Sequence, residues 1–195
     1  MENLNFDERL FLLLNFDGGA VMDWLMTTIS GTAMWIPLYL YIAWAVQRRW
    51  GWKSLAAFVV CLVLAMGLAD MLCGIFKHTG LLKNLWEAFP ARNRPMFDPA
   101  VRDLAYVVSY AHGPYGTVSA HAATTAALAA LSAPVIGKRW FSWFIAVAVL
   151  IICYSRIYLA CHYPLDLLLG LGVGLISGWG MYLLWRKLDI LLKNS

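Results

Sequence analysis

Five stretches of this chain are each apolar for about 20 residues, the length an α-helix needs to cross the hydrocarbon core of a bilayer. In a chain of 195 residues they leave room for little beyond their own connections. The first runs from about Val21 to Val46, the second from Leu55 to Phe76 and the third from about Val118 to Ile136. The fourth spans Phe141 to Leu159 and the fifth Pro164 to Trp185. Hydrophobic residues make up 62% of the sequence and charged residues 13%, against about 45–50% and about 25% in soluble domains. That balance excludes a soluble globule and a disordered chain. Cys61, Cys73, Cys153 and Cys161 show no C-x-x-C spacing, and they read as small apolar residues within helices rather than as a disulfide framework. The expected fold is an all-α integral membrane bundle forming one domain over residues 1–195. It has five transmembrane helices, an N-terminal interfacial helix and a long outer loop.

Charge sets the expected topology. The net charge of +4 is mild and dispersed, so the chain has no nucleic-acid partner, and its basic clusters act as orientation signals. Arg48, Arg49 and Lys53 follow the first span, Lys138 and Arg139 the third, and Arg186, Lys187 and Lys193 the fifth. Five spans put all three clusters on one face, the cytoplasmic one. The opposite face then holds the N-terminus, the loop from Lys77 to Thr117 and the short link around His162. That loop is also basic, with Lys77, Lys83, Arg92, Arg94 and Arg102, which calls for another role for those residues.

Met1 to Phe16 is not a signal peptide, because Glu2, Asp7 and Glu8 stand where a basic region is needed and no small-residue cleavage site follows. Phe6, Leu10, Leu13 and Leu14 instead form one helical face suited to the outer leaflet. In the loop, Leu81, Leu82, Leu85, Trp86 and Phe89 alternate with Lys83, Asn84 and Glu87, which predicts a short amphipathic helix. His78 and His112 read as ordinary loop histidines. Asp70, about 10 Å along a helix from Lys77, needs a polar partner on a neighbouring span.

The chemistry concentrates where the third, fourth and fifth spans meet the outer face. Ser155-Arg156 is followed after five residues by His162 and after three more by Asp166, within SRIYLACHYPLD. Ser119 and His121 lie in YGTVSAH, and Arg94-Pro95 lies in PARNRP. These resemble the three signature motifs of the type 2 phosphatidic acid phosphatase (PAP2) superfamily of membrane lipid phosphatases: Lys-x6-Arg-Pro, Pro-Ser-Gly-His and Ser-Arg-x5-His-x3-Asp. The third is matched at every position. The second keeps Ser119 and His121 but has Val118 and Ala120 where the family has Pro and Gly. In the first, Glu87 occupies the lysine position. Lys77, at the end of the second span, is the leading replacement and Lys83 the rival.

The resemblance implies a phosphohistidine mechanism, with His162 as nucleophile, Asp166 holding its other ring nitrogen, and His121 protonating the leaving oxygen and then activating water. The residue types suit phosphoryl transfer in their own right. Fixed cations at Arg94, Arg156 and Lys77 or Lys83 stabilise charge that grows on phosphate oxygens. Ser119 caps the third span and leaves the Ala120 amide aimed at a phosphate oxygen. No clustered carboxylates stand ready to hold Mg²⁺, so neither a metal nor another cofactor is expected. The implied partners are the bilayer and a membrane lipid phosphate: undecaprenyl diphosphate, phosphatidylglycerol phosphate, phosphatidic acid or a lipid A phosphate. The implied setting is the outer, periplasmic face of a bacterial inner membrane. Two alternatives stay open, a lipid phosphotransferase using the same site and a non-enzymatic anion channel or transporter.

Overall fold

The structure, a computed structural model, describes residues 4–109 and 113–194. His112 and residues 1–3 of the N-terminal segment lie outside that range. The described residues form α1 (Phe6–Leu14), α2 (Gly19–Ser30), a 3₁₀ turn (Ala33–Trp35), α3 (Ile36–Trp50), α4 (Trp52–Ile75), α5 (Ala120–Ile136), α6 (Arg139–Tyr158) and α7 (Pro164–Asn194). The protein is thus an all-helical, multi-pass membrane protein.

The five expected spans are matched by length only in part. By length and composition α4, α6 and α7 can cross a membrane, and α2 with α3 makes a fourth span if the pair is one broken helix. This pair corresponds to the expected first span, which is bent by 68° at Gly31 and Thr32, where the α2 cap turns extended. The bend faces the end of α6, so Ser30 can reach Arg156. α5, the expected third span, has 17 residues and rises about 26 Å, slightly less than a hydrocarbon core of about 30 Å. It is the central helix. Ala122, Ala123, Ala126, Ala127 and Leu131 are all buried among α3, α4, α6 and α7.

A glycine ridge allows that central packing. Gly170, Gly174 and Gly178 follow each other at i, i+4 and i+8 on one face of α7. A Cβ on any of them would fall on the carbonyl oxygen of Ser119, Ala123 or Ala127. Small residues let two helix backbones meet this closely in a bilayer, where lipid supplies no hydrophobic drive between them. The contact sets the height of α5 against α7, and with it the position of Ser119 beside Asp166, where the Ser119 amide donates to the Asp166 carbonyl at 3.0 Å.

The two ends of the bundle are chemically distinct. At one end Arg49 donates to the Ile136 carbonyl, Trp50 Nε1 donates to the Val135 carbonyl at 3.0 Å, and Lys193 pairs with Asp189 at 2.7 Å. All three expected basic clusters sit on the helix ends of this side. At the other end lie the loop from Lys77 to Thr117, α1 and the link around His162.

α1 starts with a capping box, in which the Asn5 side chain accepts from Glu8 N at 3.0 Å and the Asn5 amide donates back to Glu8 at 2.9 Å. Its outer face carries Phe6 and Leu13, both exposed, while Phe11 is fully buried and meets the Tyr163 ring edge-on at 5.4 Å. At its end, buried Asn15 donates to the carbonyls of Ile157 and Tyr158 at 3.2 and 2.9 Å, satisfying acceptors left over at the end of α6. α1 therefore docks on the bundle as well as presenting an apolar face outward. The expected helix between His78 and Ala91 is instead a run of turns, such as Leu85 N to Leu82 O at 3.0 Å. It is pinned by an aromatic cluster of Phe76, Trp86 and Phe89, and that cluster outweighs a local helical pattern too short to be stable alone.

Replacing Gly174 by Val forces α5 and α7 apart and is expected to destabilise the protein by about 1–3 kcal/mol. At Gly172 a Cβ meets nothing within 4 Å, so Gly172→Ala should be neutral or slightly stabilising. Thermal unfolding in detergent compares the two, and equal midpoints would remove the ridge from the account.

Candidate active site

The spacing of Arg156, His162 and Asp166 follows from one tight turn between two helices. Arg156 lies in the last turn of α6, and its carbonyl accepts from Cys161 N at 2.9 Å and His162 N at 3.3 Å. Ala160 takes the left-handed conformation that folds the chain back, with φ of 50°. Pro164 then opens α7, where its missing N–H is no loss. Asp166, one turn in, accepts from Tyr163 N at 3.0 Å through Oδ2, an N–H that the helix itself leaves free. His162 and Asp166 are each 2% exposed.

The outer loop supplies the opposite wall. Arg94 N donates to Pro114 O at 2.8 Å and Gly116 N to Arg92 O at 2.9 Å, so residues 92–94 run antiparallel to 114–116 around the Asn93–Tyr115 bridge. This pairing sets the Gly116 carbonyl 2.9 Å from His162 Nδ1. A carbonyl can only accept, so Nδ1 carries the proton and Nε2 holds the free lone pair. Nε2 lies 3.4 Å from Arg94 Nη1. Gly116 has no room for a side chain here, since a Cβ would lie 3.1 Å from Arg94 Cγ and 3.4 Å from Asp166 Oδ2.

The geometry thus divides the role expected of Asp166. The direct hydrogen bond to the ring goes to Gly116, while Asp166 Oδ2 stands 3.6 Å from Nδ1. The carboxyl group supports the turn and lies beside the ring.

Three cations gather around the ring, Arg94 on its lone-pair side. Arg94 is fixed by donating to Gly113 O at 3.0 Å and Cys161 O at 3.1 Å. Arg156 donates through Nη1 to Ser30 Oγ, while its buried Nε has no acceptor among the described residues. Lys77, 8% exposed just past α4, lies in the field of both arginines. Burial above all, with Arg94 and Arg156 adding to it, pulls its ammonium below its ordinary value, while Cys73 and Asp70 oppose the shift. Lys83 is exposed in the turn-rich loop, and it is Lys77 that joins Arg94 and Arg156 around His162. Burial first, then Arg94, Arg156, Lys77 and His121, hold the His162 ring well below the usual histidine range, so it is a neutral base at neutral pH.

Ser119 is fully buried and caps α5 by accepting from Ala122 N at 3.4 Å. The Ala120 amide is left among those at the helix start with no intrahelical acceptor. His121 follows on the first turn, within electrostatic reach of Arg156, Lys77 and Arg94. Among the described residues no three His, Cys, Asp or Glu side chains group to hold a metal ion. Cations, helix-start amides and a neutral imidazole form a pocket suited to an anion.

Sequence reasoning missed several supports. Asp7 pairs with Arg92 and accepts from Leu165 N at 3.0 Å. Arg92 lies over the Tyr163 ring at 3.5 Å and 3.9 Å from Asp166 Oδ1, so it braces the site from behind. These contacts commit the Arg92 guanidinium to Asp7, Tyr163 and Asp166. Asp70 has no hydrogen-bond partner among the described residues and opens into a cavity instead. His78 stays structural, with Nε2 3.0 Å from the Phe89 carbonyl.

Nitrogen NMR of histidine-labelled protein in detergent should find His162 neutral, as the Nδ1–H tautomer, at and below pH 6.5. Arg94→Gln removes a cation and so raises the pH at which the ring gains its second proton. A parent ring that titrates at its ordinary value, or that carries its proton on Nε2, would contradict the geometry.

Comparison with known proteins agrees with this arrangement. Residues 58–190 match the PAP2 superfamily. The chain is 30% identical to a lipid A 4'-phosphatase of Bacteroides thetaiotaomicron, over 98% of this chain and 82% of that protein. It is 27% identical to a lipid A 4'-phosphatase of Porphyromonas gingivalis, over 92% of this chain and 72% of that protein. Its fold is similar to the crystal structure of Aquifex aeolicus LpxE, with a TM-score of 0.65 and 20% identity over 96% of this chain and 98% of that one. With the family's sequence match lying across the helices that build the anion site, the chain belongs to the PAP2 superfamily of phosphatases.

Proposed function

We propose that the protein removes phosphate from a glycolipid of the lipid A class through a phosphohistidine at His162. The observation that carries this reading is the His162 ring itself. Its Nδ1–H is spent on Gly116 and its Nε2 lone pair faces Arg94, beside a buried Arg156 Nε that has no acceptor among the described residues.

In the first step Nε2 attacks phosphorus, the N–P bond forms and the bond to the ester oxygen breaks. His121, protonated once the bound phosphate offsets the field of Arg156, Lys77 and Arg94, gives its proton to that oxygen. The equatorial oxygens are held by Arg94, Arg156, Lys77 and the Ala120 amide, whose donors are already in place before charge develops. In the second step His121 takes a proton from water, which attacks phosphorus and breaks the N–P bond. Inorganic phosphate leaves, and His162 returns to its Nδ1–H form. Asp166 and Gly116 steady the ring as it gains positive charge in the first step and loses it in the second.

Two relatives along almost the whole chain act, by their names, on the 4'-phosphate of lipid A, and this sets the glycolipid above the other lipid phosphates. α5 serves as the fifth span, crossing inside a jacket of other helices. The basic helix ends then face the cytoplasm and the site opens on the outer, periplasmic face of the inner membrane.

Purified protein should release phosphate from lipid A faster than from phosphatidic acid or undecaprenyl diphosphate. His162→Ala should lower turnover at least a thousandfold while the variant purifies and unfolds like the parent. Release of phosphate by His162→Ala at more than a few per cent of the parent rate would overturn the nucleophile assignment. A preference for undecaprenyl diphosphate would overturn the substrate class.

A further inference from the structure

A cavity of about 270 Å³ opens on the flank of the site, between the bent α2–α3 segment and helices α4, α5 and α6. His121 lines it, and so do Ser30, Thr32, Asp70, Thr124 and Thr125. Asp70 lies within α4, a helix apolar enough to cross a membrane, where unmatched polar groups are expensive and mark function.

On its α5 side the wall has a definite hydrogen-bonding sense. Thr124 donates its hydroxyl proton to the Ala120 carbonyl at 2.9 Å, and Thr125 donates to the His121 carbonyl at 2.7 Å. With those protons committed, both oxygens present only lone pairs to the cavity. The Asp70 carboxylate, on the opposite helix, has no donor among the described residues, and its nearest charged support is the field of Lys77. A carboxylate and two back-bonded hydroxyls therefore face one space as acceptors. Arg156 borders the same space through its bond to Ser30, and His121 stands between Asp70 and the site as a shared lining residue of the two.

We propose that this cavity is the subsite for the leaving group, and that Asp70, with Thr124 and Thr125, selects a leaving group that carries O–H and N–H donors beside the phosphate ester. The inference rests on the phosphatase reading above, in which His121 protonates the leaving oxygen, so the departing alcohol must sit on the His121 side. An acylated amino sugar offers ring hydroxyls and amide N–H groups to such a wall. The glycerol ester of phosphatidic acid and a prenyl phosphate have no donor on the departing carbons, and they leave the carboxylate unsatisfied. A site built to hydrogen-bond its ligand rejects an analogue lacking the donors far more strongly than an apolar pocket rejects a change in size.

The test is the ratio of kcat/KM for a monophosphorylated, acylated glucosamine lipid to that for phosphatidic acid of the same chain length. In Asp70→Ala this ratio should fall about tenfold or more, chiefly through KM for the sugar lipid, and Asp70→Asn, which keeps one acceptor oxygen, should recover part of it. Inhibition by the phosphate-free glucosamine lipid reads the same subsite without chemistry, and its Ki should rise by a similar factor in Asp70→Ala and in Thr124→Val/Thr125→Val. A ratio that does not change, or a phosphate-free lipid that inhibits parent and variants equally, would overturn the subsite. A parent enzyme that releases no phosphate from either lipid would overturn the phosphatase reading instead, and the subsite with it.

Discussion

The placement of three cations, Lys77, Arg94 and Arg156, around one buried imidazole is the constraint that the surrounding structure serves. Like charges in a poorly hydrated pocket repel one another, and burial penalises each of them. The protein holds the two arginines by tying them to neutral acceptors in place of a full set of counter-charges. Arg94 is bonded to two backbone carbonyls, Arg156 to the Ser30 hydroxyl, and Lys77 is carried to the site on the end of α4. The positive field left over is what an anion would neutralise, and together with burial it keeps the His162 ring unprotonated. The bend in the first span, the glycine ridge of α7 and the antiparallel loop pair each fix the position of one wall of that pocket.

Much of this was legible in the sequence because helix ends and tight turns impose fixed spacings. Arg156, His162 and Asp166 share one turn between α6 and α7, and Ser119 and His121 stand at the start of α5, so residue types at set intervals report the arrangement directly. The apolar runs located α4, α5, α6 and α7 to within a few residues at most of their ends. The first span was not legible as two helices, because hydropathy is blind to the conformation of Gly31 and Thr32. The loop between Lys77 and Arg94 shows the opposite failure. Its amphipathic pattern was real, but Phe76, Trp86 and Phe89 close it as turns. The partner of the His162 ring was a backbone carbonyl at Gly116, and no side-chain pattern announces a carbonyl.

The N-terminal segment lies outside the residues matched to the family, 58–190, yet it is part of the support of the site. Asp7 links Arg92 to the start of α7, Phe11 packs on Tyr163, and Asn15 caps the end of α6. An interfacial position alone would ask only for Phe6 and Leu13, which do face outward. The inward contacts make α1 a brace across the turn that holds His162, and they place the motif residues within a cooperative unit wider than the family match.

A structure determined with vanadate tests the central claim most directly, because vanadate adopts the five-coordinate geometry of phosphoryl transfer. Vanadium should be bonded to Nε2 of His162, with Arg94, Arg156 Nε and Lys77 as donors to its equatorial oxygens and His121 facing the apical oxygen. Vanadate bound to Nδ1, or held by the cations away from His162, would contradict it.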